Sequence, residues 1–269
     1  MVATAWSDGH RVLYHWQEFR EDYLADILMN GRVYCSQPSG FNDPWDCKPY
    51  FNTEILEDPE ENRRHVEWAV DCCRKANKMS EDDIEHMRQT LLVDRVRAAE
   101  LLIQMSGGMA AEIDRKYRVY CLCPEVDSVL MWSHYGKKHS GVCLEFSLRN
   151  VVFCGAQPCE YLDEFPRTLI YARDAAANLQ MLLAKARARE YEHEYRLITE
   201  ERALGTAGVD TLKTDSGFLD PPDGALTAVI VGCQGDYEGV RRLVGAHAPH
   251  VTVKRAVRMP NRYGLRIEG

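Results

Sequence analysis

The sequence feature that most constrains the fold is the run ALTAVIVG at Ala225–Gly232, in which Thr227 is the only polar residue. A strand of this composition is buried on both faces, so the run predicts a central strand in a sheet that is covered on both sides. Residues 12–17 and 141–146 instead show a period of two, in which every second side chain points to the same face. This period of two predicts strands whose two faces meet different surroundings.

Helical patterns surround these strands. An apolar stripe over residues 19–28 predicts a helix that Gly31 ends in the left-handed conformation. Residues 58–114 are mostly helical in pattern, and Ser80 with Asp83 resembles a capping box. The other predicted elements are strands at 32–36 and 117–123, a short helix from Ser128, a long helix at 172–190, a helix near 236–246 and a strand or hairpin at 250–268.

These elements predict the α+β class, with a mixed, largely antiparallel sheet and flanking helices. We expect one domain over residues 1–269, in which residues 58–114 form a helical insertion or a lid. No run reaches the roughly 18 apolar residues of a membrane span, and the first residues lack a secretion signal. We therefore expect a cytoplasmic protein without a membrane partner.

Charge and cysteine content exclude some functions. The net charge of −8 argues against a general nucleic-acid coat protein. The ten cysteines lack the spacing of a disulfide framework or a zinc site, so we expect buried thiols and no metal. Basic residues are in local excess from Arg241 to Gly269. They either bind a phosphate-bearing ligand or form a solvated face that offsets the acidic run Glu54–Glu61, and the second interpretation is favoured.

The segment YEHEYRLI at 191–198 carries the strongest chemical signal. If a strand begins at Glu192, then Glu192, Glu194 and Arg196 share one face. Two carboxylates and a guanidinium on one face destabilise a fold unless they are hydrated, form ion pairs or take part in binding or catalysis. The segment is therefore either an ordinary ion pair at a sheet edge or a carboxylate that an arginine holds for action on a substrate.

Two other segments supply candidate residues. In MWSHYGKKHSGVCLEF, Trp132 and Tyr135 share a helix face that suits core packing or ligand stacking, and His139 precedes a glycine turn. In FNDPWD, Asn42 and Asp43 lie either at a cleft rim or in a turn that only reverses the chain. The motifs GxxxxGK[ST], GxGxxG and GxSxG are absent, so P-loop NTPases, Rossmann dehydrogenases and α/β-hydrolases are not leading candidates.

The order of these motifs resembles a widespread bacterial family that contains a domain of unknown function. The shared features are Leu13-Tyr14-His15-Trp16, the I-L-x-x-G-x-[VL]-Y pattern at 27–34, FNDPxD at 41–46, MWxHYxxxHxGxCLEF at 131–146 and YExEYRLI at 191–198. His15 replaces the lysine that is usual in that family, and Arg189 replaces a tryptophan that precedes the last motif. We expect the second replacement to affect only packing.

The chain also resembles, more distantly, ADP-ribosyltransferase-like proteins, in which an early His or Arg and a middle Tyr or Ser grip NAD and a late Glu assists departure of nicotinamide. The resemblance implies an ADP-ribosyltransferase-like fold that takes NAD as substrate, with Glu194, its partner Glu192 and His15 as catalytic residues. The binding residues that we expect are Tyr14, Tyr34, Ser36, Asn42, Asp43, Trp132, Tyr135, His139 and Arg196. The enzyme would be an ADP-ribosyltransferase or NAD glycohydrolase that acts as a toxin or antiphage effector, and the acceptor is a protein, a nucleic acid or water.

Two alternatives remain open. The chain could be a non-catalytic module that binds or senses a nucleotide or small molecule through FNDPWD and MWSHY. It could also be a metal-dependent phosphodiester hydrolase that uses Asp43, Asp46, His134, His139 and Glu145.

Overall fold

The structure is a computed structural model that describes residues 3–48, 51–76, 78–166, 169, 171, 175–202 and 212–269, without the side chains of 175–177. The chain divides into two compact units: unit 1 comprises 1–40, 116–161 and 187–269, and unit 2 comprises 41–115 and 162–186. Unit 2 is wider than the predicted insertion at 58–114, because it begins at Phe41 and takes in a second, distant segment.

The helices and strands are, in chain order, β1 (Val12–Gln17), α1 (Glu21–Asn30), β2 (Val33–Tyr34), α2 (Pro59–Ala76), α3 (Glu81–Val93), α4 (Arg95–Lys116), β3 (Tyr117–Leu122), α5 (Val129–His134), β4 (Val142–Ser147), β5 (Gln157–Pro158), β6 (Glu160–Leu162), α6 (Ala175–Leu183), β7 (Ala184–Ala186), β8 (Tyr195–Glu201), β9 (Lys213–Thr214), β10 (Phe218–Leu219), β11 (Leu226–Val231), α7 (Tyr237–His247), β12 (Thr252–Arg258) and β13 (Leu265–Glu268). Short 3-10 helices span Pro38–Gly40, Thr53–Glu57, Phe153–Gly155 and Arg187–Glu192.

A five-stranded sheet in the order β1-β4-β11-β12-β13 forms the larger part of unit 1. All neighbouring pairs are antiparallel except β11 and β12. The apolar run predicted as a central strand is β11, which has two strands on each side. The predicted α+β class, with mixed and mostly antiparallel sheets, is confirmed.

The two faces of this sheet meet different cores, as the period of two predicts. Leu144 and Phe146 of β4 pack in a cluster with residues of α1 and α7. Cys143 faces the other way, into a cluster that contains Trp16 and Trp132. The sheet is therefore covered on both sides.

A second sheet of unit 1 has the order β3-β8-β5, and β9 pairs with β8. Cys121 of β3 and Gln157 of β5 both lie opposite Arg196 of β8. The opposite edge of β3 forms isolated bridges, in which Cys123 pairs with Tyr14 and Val119 pairs with Ser36. The strand β3 thus joins the beginning of the chain to β8.

Unit 2 is mainly helical and has its own apolar core, which includes Val70, Ile84 and Leu102 of α2, α3 and α4. The Ser80 side chain accepts a hydrogen bond from the Asp83 N–H, as the predicted cap requires. The predicted glycine cap is confirmed in unit 1, where Gly31 ends α1 with φ of 65°.

Of the helix predicted at 172–190, residues 172–174 lie outside the described residues, and the prediction is wrong from Ala184 onwards. The helix α6 ends at Leu183, and β7 and a 3-10 helix (Arg187–Glu192) follow it. The alanine-rich sequence has a high helix propensity, which strand pairing overrides here. No helix among the described residues is long and apolar enough to span a membrane.

Candidate functional site

The site is built around three charged residues just before and within β8. Glu192, Glu194 and Arg196 expose 1%, 4% and 0% of their surface. The Arg196 Nε donates to the Glu194 Oε1 at 2.6 Å. The strand predicted from Glu192 is wrong, because β8 begins at Tyr195 and His193 has φ of 41°. The three side chains are nevertheless buried, and Glu194 is paired with its arginine.

Glu192 is held by two donors from different elements. The Tyr135 hydroxyl, which follows α5, donates to Glu192 Oε1 at 2.9 Å. The Arg189 Nη1 lies 3.3 Å from the same oxygen. We expected Arg189 to affect only packing. This expectation is corrected, because the Arg189 guanidinium forms an ion pair with a buried carboxylate.

His15 is fixed on β1 as a neutral imidazole with a defined tautomer. Its Nδ1 lies 2.8 Å from the Cys121 carbonyl oxygen, and its ring stacks on Tyr120 at 4.2 Å. Because a carbonyl can only accept, Nδ1 carries the hydrogen and Nε2 has a free lone pair. Burial lowers the pKa of His15, while the Cys121 hydrogen bond and the charge of Glu194 oppose this effect.

The residue Cys123 lies between the segment that contains His15 and the segment that contains Glu192 and Glu194. Burial raises its pKa to about 12, and the charges of Glu194 and Glu192 contribute to the same effect. Its backbone pairs with Tyr14, the neighbour of His15. Glu192 and Glu194 thus precede β8, and Glu194 is close enough to His15 on β1 to influence its pKa.

Sequence reasoning missed several residues of this site. Tyr161 accepts a hydrogen bond from the Glu194 N–H at 2.7 Å, and Arg189 contacts Glu192. Cys121 and Cys123 also belong to the site. Their alternation in the sequence YCLC at 120–123 is a signal that could have found them, since it places both on the face that carries Arg196.

Two predicted binding residues lie in the core instead. Trp132 is completely buried, and its Nε1 donates to the Val126 carbonyl at 2.7 Å. Tyr14 packs near Trp16, and burial and the charge of Glu145 raise its pKa. The complete burial of Trp132 corrects its predicted stacking role to core packing, whereas the binding role of Tyr14, which exposes 9% of its surface, stays a prediction.

Tyr34 and Ser36 lie on and just after β2. Tyr34 is exposed, and its ring meets Phe218 edge-on at 5.4 Å. Ser36 is half-buried and exchanges backbone hydrogen bonds with Val119 on β3. Ser36 thus lies opposite the residue of β3 that is two positions before Cys121, whose carbonyl contacts His15.

Asn42 and Asp43 belong to unit 2, where Asn42 is exposed and Asp43 is buried. The Asp43 Oδ1 accepts from the Trp45 N–H at 3.0 Å, so the side chain stabilises the predicted turn. Asp43 also lines a cavity of about 230 Å³ within unit 2. Buried Lys185 and Asp46 line the same cavity, with Nζ and Oδ2 3.7 Å apart.

His139 lies apart from the carboxylate cluster in a left-handed turn with φ of 67°. Burial lowers its pKa, and its Nδ1 is buried with no hydrogen-bond partner in the described part of the chain. Glu145, a residue of the hydrolase alternative, is bound by Lys254 Nζ at 2.7 Å and by the Thr227 hydroxyl at 2.8 Å. Among the described residues, no group of three or more His, Cys, Asp or Glu side chains is arranged to hold a metal ion.

A comparison with protein-family models gives a match over residues 131–213, to the family described as a protein of unknown function (DUF2971). The matched segment contains two of the motifs singled out above, at 131–146 and 191–198. The resemblance to a domain-of-unknown-function family is confirmed over this segment. No curated protein and no solved structure matches the chain.

Proposed function

We propose that the cluster of His15, Glu192 and Glu194 cleaves the bond between nicotinamide and ribose in NAD, as an ADP-ribosyltransferase or NAD glycohydrolase does. The observation that carries the proposal is that two buried carboxylates lie near Cys123, beside β1, and that one of them, Glu194, acts electrostatically on the imidazole of His15 from a distant part of the sequence. Buried titratable groups that come from distant parts of the sequence and lie near one another are typical of catalytic sites.

The chemistry requires stabilisation of positive charge. As the ribose C1′–nicotinamide N bond breaks, its electron pair leaves with nicotinamide, and the sugar becomes oxocarbenium-like. A carboxylate next to the sugar stabilises that charge, most strongly in a dry and preorganised site. Glu194 serves this role in the proposal, because Arg196 holds its orientation, while Glu192 is held by Tyr135 and Arg189.

His15 orients the substrate and receives a proton. Its free Nε2 can accept a hydrogen bond from a ribose hydroxyl, because Nδ1 is occupied by Cys121. When water attacks C1′, the proton that it loses passes to a basic group such as this imidazole, and the products are ADP-ribose and nicotinamide. A protein or nucleic-acid nucleophile in place of water makes the same reaction an ADP-ribosyl transfer. Consumption of NAD would suit a toxin or antiphage effector.

The test is nicotinamide release from NAD by the purified protein. Glu194→Gln should lower the rate by about 100-fold or more, since a preorganised charge is lost. Glu200→Gln is the matched control, because Glu200 is also buried on β8 and its ion pairs with Lys213 and Lys116 lie outside the cluster. This control should retain activity within about threefold.

Chelation should not change the rate of nicotinamide release. Equal activity of wild type and Glu194→Gln, or equal loss in Glu194→Gln and Glu200→Gln, would contradict the assignment. The metal-dependent phosphodiester hydrolase would instead break a phosphodiester bond without releasing nicotinamide, in a reaction that chelation abolishes.

A second candidate is a binding or sensing module, which the cavity of unit 2 favours. Lys185 and Asp46 are buried charges that face one cavity, and the exposed rings of Trp45 and Phe165 lie beside it. The lining combines these groups with further charged residues and with apolar side chains such as Met181 and Leu162, and a concave site with converging polar groups is typical of small-molecule binding. A nucleotide that raises the melting temperature without being consumed, and no longer does so in Lys185→Met, would support this function.

A further inference from the structure

A separate cavity of about 570 Å³ lies in unit 1 beneath the C-terminal hairpin, which comprises β12, β13 and the turn between them. The turn contributes Arg262 and Tyr263, β12 contributes Arg258, and two other loops contribute His139 and Gln234. The volume falls within the range of small-molecule sites, which is about 300–1,000 Å³. None of these residues belongs to the cluster of His15, Glu192 and Glu194.

The charge of this cavity is opposite to that of the whole chain. The chain carries a net charge of −8, yet the described lining of the cavity contains two arginines and no aspartate or glutamate. In the part of the chain that the structure describes, neither Arg258 nor Arg262 forms an ion pair with a carboxylate. Arg266, on the same hairpin, pairs with Glu268. The Arg262 Nε donates to the Met259 Sδ at 2.8 Å, so the two Nη groups of Arg262 and the Arg258 guanidinium are available to an anion.

The cavity also offers a ring and further polar groups. Tyr263 is completely exposed beside the two arginines, so both faces of its ring are accessible. The amide groups of Gln234 and Asn261 line the same space. The buried Nδ1 of His139, another lining residue, has no hydrogen-bond partner among the described residues. These groups suit a ligand that combines negative charge with a flat, polar ring.

We propose that this cavity binds a small phosphate-bearing molecule with a flat ring, of the mononucleotide class. Arg258 and Arg262 contact the phosphates, and Tyr263 stacks on the ring. Guanidinium groups match phosphate oxygens in charge and bidentate geometry. A nucleic-acid strand would need a positive groove that continues along several nucleotides, and the acidic chain disfavours such a partner.

The experiment is calorimetric titration of the full chain at low salt with ADP, adenosine and pyrophosphate. ADP should bind more tightly than adenosine, which lacks the phosphates, and more tightly than pyrophosphate, which lacks the ring. Arg258→Gln with Arg262→Gln should weaken ADP binding by at least about tenfold, because two charge-assisted contacts are lost. Tyr263→Ala should weaken ADP binding and leave pyrophosphate binding unchanged.

Arg266→Gln is the matched control, since it removes an equal charge from the same hairpin at an arginine that Glu268 already neutralises. It should change ADP binding by less than about twofold. The substituted side chains are all exposed, so thermal unfolding should confirm that each variant folds.

Equal ADP affinity in wild type and in the double arginine variant would overturn the proposal, as would tighter binding of a single-stranded oligonucleotide than of ADP through the same arginines. The proposal is independent of NAD cleavage. Glu194→Gln should bind ADP in this cavity as wild type does, and the double arginine variant should still release nicotinamide from NAD.

Discussion

At the scale of single residues, His15 is a candidate catalytic group whose ionisation is affected by the fold. Burial lowers its pKa below the ordinary value of about 6.5, so the unfolded chain binds a proton more readily than the folded chain. The contribution of a neutral His15 to stability is therefore complete above about pH 6.5. It is lost as the pH falls from there towards the lowered pKa.

We predict that His15→Asn makes the loss of stability between pH 7 and pH 5 shallower than in wild type. Asparagine can still donate to the Cys121 carbonyl, but it does not titrate. The two slopes should differ by at most about 1.4 kcal/mol per pH unit, the value for one proton. Urea unfolding at several pH values measures this, and identical slopes would contradict it. Burial also lowers the pKa of His65 and His139, so some slope should remain in the variant.

The hydroxyl of Tyr135 is a second residue with a specific role, because it donates to buried Glu192. Tyr135→Phe should lower the free energy of unfolding by about 1–3 kcal/mol, the usual effect of losing a hydrogen bond to a charged group. It should also slow nicotinamide release by about tenfold, since Glu192 then loses part of its orientation. Tyr195→Phe is the control, because it removes a hydroxyl that donates to Asp8 in the same unit. Equal effects of the two changes on the rate would show that Tyr135 has no role in orienting the site.

At the scale of elements, β8 carries an ion pair between Glu194 and Arg196, both almost completely buried. Removal of one partner takes a strong, buried charge-assisted hydrogen bond from the other, so Glu194→Met should cost about 3–5 kcal/mol of stability. The double variant with Arg196→Met should be more stable than this single variant, because it no longer buries a guanidinium that has lost this contact. Urea unfolding of the two proteins decides this. If the double variant is the less stable one, the interactions of the two charged side chains contribute more to stability than their burial costs.

Elements with a local signature could be predicted from the sequence, and those fixed by distant contacts could not. The strands β4 and β11 follow from a period of two and from an apolar run. The start of β8 does not, because His193 adopts a left-handed conformation that no residue type in YEHEYRLI requires. The same limit applies to the site: Glu192 and Glu194 could be found as a pattern, whereas Tyr161 reaches Glu194 from a segment that gives no periodic signal.

At the scale of the whole molecule, the chain forms two units whose apolar cores share no residue. The core of unit 2 consists of residues of 51–109, and the cores of unit 1 consist of residues of β1, β4, β11 and their neighbours. The sequence indicated the helical segment but not its partner at 162–186, because an association between distant segments leaves no local periodicity.

Separate cores predict that a cavity in one unit destabilises mainly that unit. Leu102 of α4 and Leu144 of β4 expose 1% and 0% of their surface, so replacement of either by alanine should cost about 2–5 kcal/mol locally. In Leu102→Ala, native-state hydrogen exchange should accelerate in α2, α3 and α4 while β4 and β11 keep their protection. Leu144→Ala should give the reverse pattern. An equal acceleration in both units for either variant would mean that the two cores unfold as one cooperative structure, because local and global opening would then have the same free energy.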